Sequence, residues 1–251
     1  MIIWIASYPK SGNTYIRSFL SAYYFSKNGE FSFDLLKNIK QFPNIEFFDK
    51  SFDSVEQASQ NWIKAQEKIK AKNKILFLKT HSCLGLYKGQ PFTTPEFSLG
   101  GIYVVRDPRN VISSVMNHFS LNEDEAYKFI TDENRNTKEL DSDDYRTWVL
   151  LSNWSNHYKS WSKSINFRKL IVKYEDFQNE KYETFRDIIV FTNTLLSRTE
   201  RVNKQKLMRA IESTNFNVLK NKERIEGFDE ALFSKEKNKK KVFFNLGFNN
   251  R

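Results

Sequence analysis

Apolar and polar positions follow two regimes along the chain. Four short runs are apolar almost throughout and are bounded by polar residues: Ile2–Ala6, Ile75–Leu78, Gly101–Val105 and Leu170–Val172. Runs of this length, without period-two alternation, predict strands buried on both faces, as in parallel sheets. Between them, apolar residues recur at helical spacing. Thr14–Tyr24 carries Ile16, Phe19, Leu20 and Tyr23, and Val55–Lys70, Pro108–His118, Asp144–Ile165 and Asp176–Phe191 are amphipathic in the same way. Asn203–Ser213 predicts a further helix, while the Phe-rich, poorly periodic Glu30–Ser54 reads as a lid or loop with short helices. Strands alternating with helices imply right-handed βαβ units, hence an α/β protein: a three-layer α/β/α sandwich around a central parallel sheet. No repeat and no Gly/Ser/Pro-rich linker interrupts the 251 residues, so a single domain over 1–251 is expected.

In such sheets ligands bind at the carboxyl ends of the strands. The residues just past the four predicted strands are "SYPKSGNT", "KTH", "RDPRN" and "YED", all polar or charged where a fold alone would need only turn residues. The first is a strand-to-helix loop with Lys10, Ser11, Gly12, Asn13 and Thr14. Main-chain N–H groups at a helix start bind anions, Gly12 lets the backbone come close, and Lys10 adds a mobile positive charge. A simple capped helix start would have the same composition. The loop does not fit the ATP pattern G-x-x-x-x-G-K-[ST], because its lysine precedes its only glycine.

At the third strand end, Arg106 is followed by Pro108, suited to a helix start, and by Ser114 about two turns on. A guanidinium and a hydroxyl so placed can hold a second phosphate. Asp107 reads as a helix cap rather than a magnesium ligand. Of the three histidines, His157 falls inside a helix as a structural or exposed residue and His118 ends one. His81 stands at a strand end beside Lys79 and is the natural general base for a hydroxyl or amine. One Cys and three scattered His do not form a zinc cage, so no metal is expected.

Composition narrows the partners. Hydrophobic residues make up 39% of the chain and aromatics 16%, as in a globular protein. No apolar run approaches the roughly 20 residues of a membrane span, and the N-terminal apolar stretch lacks the basic flank of a secretory signal. The single Cys83 excludes an internal disulfide and fits a cytoplasmic setting. The net charge of +10 favours anionic partners. With no zinc-finger spacing, RNA-binding signature or basic zipper, nucleic acid is not expected. The lysine run Lys235–Lys241 reads as a solvated tail.

In order along the chain, "YPKSGNTY", "KTH", "RDPRNVISSVMNHF" and "YEDF" resemble the motifs of sulfotransferases that use 3′-phosphoadenosine 5′-phosphosulfate (PAPS). The family's phosphosulfate loop reads Y-P-K-S-G-[TS]-[TS]-[WF], and its 3′-phosphate motif has Arg and Ser at the spacing of Arg106 and Ser114. The resemblance implies a P-loop-type fold and roles for particular residues. Lys10, Ser11, Gly12, Asn13 and Thr14 would hold the 5′-phosphosulfate. Tyr15 would stack on adenine, with Tyr174, Thr214 and Phe216 also contacting the nucleotide. His81 would be the base and Lys79 would stabilise the transferring group. A small-molecule or glycan acceptor is implied, and homodimerisation stays open. Two departures stand out: Asn13 replaces Thr or Ser, its amide still able to donate, and the C-terminal F-F-R-K-G pattern has become Phe243-Phe244-Asn245-Leu246-Gly247. Lys239–Lys241 or Arg251 would have to replace the lost basic pair, or the donor is held less tightly. A magnesium-dependent nucleotide kinase and a degenerate nucleotide-binding relative are the competing readings.

Overall fold

The computed structural model of the protein describes residues 1–138, 144–231, 233–234 and 239–245. Along the chain run β1 (Ile2–Ser7), α1 (Asn13–Phe25), β2 (Lys40–Gln41), α2 (Val55–Gln60), α3 (Trp62–Ala71) and β3 (Leu76–Thr80). The ribbon β4 (Leu86–Tyr87) and β5 (Gln90–Pro91) precedes β6 (Ser98–Val105), α4 (Pro108–Phe119) and α5 (Glu123–Thr131). Then follow β7 (Asn136–Thr137), β8 (Val149–Leu150), α6 (Trp154–Lys163) and β9 (Lys169–Lys173). The helices α7 (Asp176–Asn179), α8 (Lys181–Leu195), α9 (Lys204–Ser213) and α10 (Phe216–Glu226) lead to the two-residue strands β10 (Phe233–Ser234) and β11 (Lys239–Lys240). Among the described residues no helix is long and apolar enough to cross a membrane.

The central sheet has five strands in the order β2-β3-β1-β6-β9. Every pairing in it is parallel. The expected α/β class with a parallel sheet is thus observed. The four predicted strands are all present, and Lys40–Gln41 adds an edge strand inside the Phe-rich segment. β3 lies on one side of β1 and β6 on the other, so the strand order reverses at β1, the kind of place where α/β sheets bind ligands.

The chain divides into two compact units. The first comprises Met1–Asn13, Ile39–Val105 and Lys128–Lys173 and contains the whole sheet. In its core, Ile2, Trp4 and Ala6 of β1 join Leu78 and Tyr103 against Trp62, Ala65 and Ile69 of α3 and Trp161 of α6. Phe42, Phe48 and Phe52 are buried in the same cluster, so these rings of the Phe-rich segment serve packing. Gly101 lies in mid-β6, where an added Cβ would meet the Trp161 ring at 3.2 Å and Trp4 Cβ at 3.5 Å.

The second unit comprises Thr14–Asn38, Arg106–Tyr127 and Tyr174–Arg251. Its described elements are mainly helical. Phe19 and Phe185 pack with ring centroids 4.1 Å apart, and Phe177 stacks on Phe185 at 5.0 Å.

Three helix predictions need correction. Asp144–Ile165 is not one helix: a short 3-10 turn (Tyr145–Thr147) and β8 come first, and helix begins only at Trp154. Ser152 is left-handed at φ 59°, and the Asn153 side chain accepts from the Asn156 N–H at 2.7 Å, capping the new start. Trp148 meanwhile stacks on Trp62, so tertiary packing overrides the helical periodicity there. Val55–Lys70 breaks at Asn61, whose side-chain amide donates to the Gln57 carbonyl. Asp176–Phe191 breaks at Glu180 (φ −132°, ψ 45°). The unexpected α5 is closed at its start by a reciprocal box: Glu125 N–H donates to Asn122 Oδ1 and Asn122 N–H to Glu125 Oε2.

Replacing Gly101 with Val should lower unfolding free energy by about 1–3 kcal/mol through overpacking against Trp161. Urea unfolding of the two proteins checks this.

Candidate active site

β1 is buried along its whole length. Where it ends, the loop turns sharply: Ser11 N–H donates to the Tyr8 carbonyl at 3.2 Å, with Lys10 left-handed at φ 64° and Gly12 at φ 99°. Gly12 occupies a conformation that side chains disfavour, and Lys10 adopts one that costs a non-glycine residue about 1–3 kcal/mol. The loop is held from both ends. Tyr8 OH donates to the Phe129 carbonyl, and Asn13 Nδ2 donates to Ile5 O at 3.0 Å and Ser7 Oγ at 3.3 Å. The Asn13 amide is therefore turned back onto β1, and its main-chain N–H is among those at the start of α1 that have no acceptor within the helix. Ser11 is fully buried, and its hydroxyl has no hydrogen-bond partner among the described residues. Alternating left-handed positions, a helix start and a stranded hydroxyl suit a bound anion.

β3 pairs with β1 in register, Ile5 opposite Lys79 and Ala6 opposite Thr80. Lys79 is half-buried at the end of β3. His81 follows, and its Nδ1 lies 2.7 Å from the Ser7 carbonyl, with the Ser7 hydroxyl farther off at 3.4 Å. A carbonyl only accepts, so Nδ1 is the protonated nitrogen and Nε2 of the neutral ring carries the lone pair. The structure thus brings His81 to the root of the loop that contains Lys10.

In the second unit, Arg106 directly follows β6 and Tyr174 directly follows β9, and the Arg106 guanidinium lies over the Tyr174 ring at 4.4 Å from its centroid. Both residues are buried. Burial lowers the Arg106 pKa, against the opposing influence of Tyr174, Glu175 and Asp107, and burial raises that of Tyr174. Asp107 caps α4 by accepting from the Arg109 N–H at 2.9 Å and pairs with the Arg109 guanidinium, as its capping role requires. Ser114 is half-buried on α4. Thr14 is buried in the first turn of α1, and Tyr15 lies edge-on to Phe177 and Phe185. Thr214 closes α9 with its hydroxyl bonded to Ala210 O, and Phe216 opens α10 half-buried.

A family model described as the sulfotransferase domain matches residues 2–246. The chain belongs to the sulfotransferase family. Solved structures with a similar fold include mouse sulfotransferase SULT7A1 complexed with PAP (18% identity, TM-score 0.54, covering 100% of this chain and 74% of that one). Retinol dehydratase is similar in its complex with retinol and PAP (17%, TM-score 0.57, 98% and 73%). So is its complex with androsterone and inactive cofactor PAP (17%, TM-score 0.52, 88% and 66%). The chain therefore spans just under two thirds of the last of these and about three quarters of the other two. No curated protein matches it.

The sulfotransferase's C-terminal departure has a structural counterpart. Phe243 and Phe244 donate their N–H groups to the Glu223 carboxylate on α10, and Phe244 is buried against Phe216 and Phe228. Lys241 Nζ donates to His118 O and Ser120 Oγ, where it closes the carboxyl end of α4. The Lys241 ammonium is thus engaged at the helix end. Lys235–Asn238, Leu246, Gly247 and Arg251 lie outside the described residues, as do the side chains of Lys239 and Lys240.

Three contributors were missed from sequence. Ser7 fixes the His81 tautomer. His157 is wholly buried and donates from Nε2 to the His81 carbonyl at 2.9 Å, while its Nδ1 accepts from Tyr103 OH at 2.8 Å. The one available signal was that His157 shares a helical stripe with Trp154 and Trp161; nothing in the spacing connects it to residue 81.

Burial pushes the His157 pKa from 6.5 down to about 4. Between those values the unfolded chain takes up a proton that folded His157 refuses. Its contribution is fully present above about pH 6.5 and is lost as pH falls toward 4, amounting to about 3 kcal/mol. The urea midpoint of the wild type should therefore drop more steeply than that of His157→Gln between pH 7.5 and 4.

Proposed function

We propose that this sulfotransferase moves the sulfuryl group of PAPS to a hydroxyl or amine of a small-molecule or glycan acceptor, with His81 as general base. The observation that carries this reading is the His81 Nδ1 bond to the Ser7 carbonyl. It turns the basic Nε2 into the acceptor's proton sink and ties the base to the strand that leads into the anion loop. The PAP in the similar solved structures supports the donor. The loop's chemistry fits it too, because the Ser11 hydroxyl is buried without a hydrogen-bond partner among the described residues.

When bound, PAPS supplies an activated sulfuryl group on a phosphate leaving group. The main-chain N–H groups of Gly12, Asn13 and Thr14, with the Ser11 hydroxyl, hold the 5′ end. Arg106 and Ser114 hold the 3′-phosphate, and Tyr15, Tyr174, Thr214 and Phe216 border the nucleotide. His81 Nε2 takes the acceptor's proton as the acceptor oxygen or nitrogen bonds to sulfur. Lys10 would meet the charge that the departing sulfuryl group leaves on the bridging oxygen. Lys79 holds the sulfonate oxygens. Asn13 acts through its main chain, because its side-chain amide donates to Ile5 and Ser7.

The family model's span of residues 2–246 supports treating 1–251 as one sulfotransferase domain. The single Cys83 supports a cytoplasmic setting; burial pushes its thiol up to about 12, which leaves it unreactive.

Calorimetry with 3′,5′-adenosine bisphosphate in EDTA should show binding, weakened at least about tenfold by Arg106→Ala. A requirement for Mg-ATP instead would refute the reading. With an acceptor found by screening labelled transfer over phenols, sterols and sugars, His81→Ala should lower transfer about 10²–10⁴-fold and leave nucleotide binding intact.

A further inference from the structure

Helix α6 holds the main chain around His81 more thoroughly than packing requires. His157, Ser160 and Trp161 lie at i, i+3 and i+4, on one stripe of the helix. They meet three main-chain groups of the segment after β3. His157 Nε2 donates to His81 O at 2.9 Å, Trp161 Nε1 donates to Ser82 O at 3.0 Å, and the Leu84 N–H donates to Ser160 Oγ at 3.0 Å. β8 and the residue after it add two more bonds: the Cys83 N–H donates to Leu150 O and the Cys83 thiol to Leu151 O.

The polarity of the chain of bonds is fixed by chemistry. The His81 carbonyl can only accept, so His157 must be protonated at Nε2. His157 Nδ1 is then an acceptor, and Tyr103 OH, on β6, must donate to it. The Tyr8 ring stands edge-on to His157 at 5.4 Å and encloses it further. At the other end, His81 Nδ1–H donates to Ser7 O at 2.7 Å. The residue carrying the imidazole is thus gripped at its carbonyl and at its ring.

We propose that His157 is a positioning residue for the base: its Nε2–H, oriented by the Tyr103 hydroxyl, clamps the His81 carbonyl and so keeps His81 in the Nδ1–H form with Nε2 as proton acceptor. This rests on the reading of His81 as the base. A histidine that merely filled the core would need no bond to this particular carbonyl, and an apolar residue would fill the same volume without burying two ring nitrogens. Gln can reproduce the Nε2 donor, whereas Leu cannot.

The test is long-range ¹H–¹⁵N NMR of the full chain at pH 8, where three histidines give three imidazole patterns and His118→Gln assigns one of them. Wild-type His81 should be the Nδ1–H tautomer and His157 the Nε2–H tautomer. His157→Leu should move the His81 ring nitrogens toward a tautomer mixture, and His157→Gln should restore them. Tyr103→Phe, a milder change if His157→Leu does not fold, should shift the His81 nitrogens in the same direction by less. A wild-type His81 protonated at Nε2 overturns the proposal, and so does a His81 pattern unchanged in every variant that folds. Binding of 3′,5′-adenosine bisphosphate, followed on the same samples, should stay within about twofold. If His157→Leu loses binding together with the tautomer, His157 serves the fold at large and the proposal fails. Absence of binding in the wild type counts against the donor reading alone, and the tautomer result still decides the clamp.

Discussion

A main-chain carbonyl can accept a hydrogen bond and never donate one, and that constraint orders the chemistry at the end of β1. Ser7 O accepts from His81, and His81 O accepts from His157. Each carbonyl dictates which nitrogen of its imidazole is protonated, and Tyr103 OH completes the chain. A net hydrogen bond contributes about 1 kcal/mol, but stranding a buried partner costs about 1–3 kcal/mol. The arrangement is therefore maintained more by the penalty for breaking it than by the gain on making it. Its consequence is directional: two histidines in one unit take opposite tautomers.

The loop after β1 obeys a second constraint. Two left-handed residues stand one apart, and only one of them is glycine. Lys10 keeps its strained backbone because the loop is fastened by Tyr8 OH to Phe129 and by Asn13 to Ile5 and Ser7. Placing the lysine ahead of the glycine sets its side chain on the turn itself, before the helix begins. The ATP-type loop sets it after the second glycine, on the helix. Asn13 shows a change of duty within this loop: where the family has a hydroxyl, this chain has an amide spent on bracing the strand end.

Arg106 is held differently. Its guanidinium is buried on the face of Tyr174, and Asp107, its neighbour in sequence, is engaged with Arg109. Burial lowers its pKa, although an arginine remains charged throughout the physiological range. Stacking on the Tyr174 ring, with the charges of Glu175 and Asp107 nearby, offsets part of the cost of burying that cation.

The sequence by itself determined the α/β class, the four long strands of the sheet and the identity of the residues that leave their carboxyl ends. Short apolar runs have few alternatives to a buried strand, and polar residues clustered at strand ends are unlike ordinary turns. It also marked His81 among three histidines, because only that one ends a strand. Tertiary structure decided the rest. Helix periodicity over Asp144–Ile165 gave way where Trp148 found Trp62, and the Phe-rich segment yielded rings to the core and a two-residue edge strand. The duties of Ser7, Tyr103 and His157 depend on pairs 54 to 76 residues apart in sequence. Local pattern registers neighbours three or four residues away on a helix and two away on a strand. A hydrogen bond that fixes a tautomer across such a separation exists only once the strands and helices have come together.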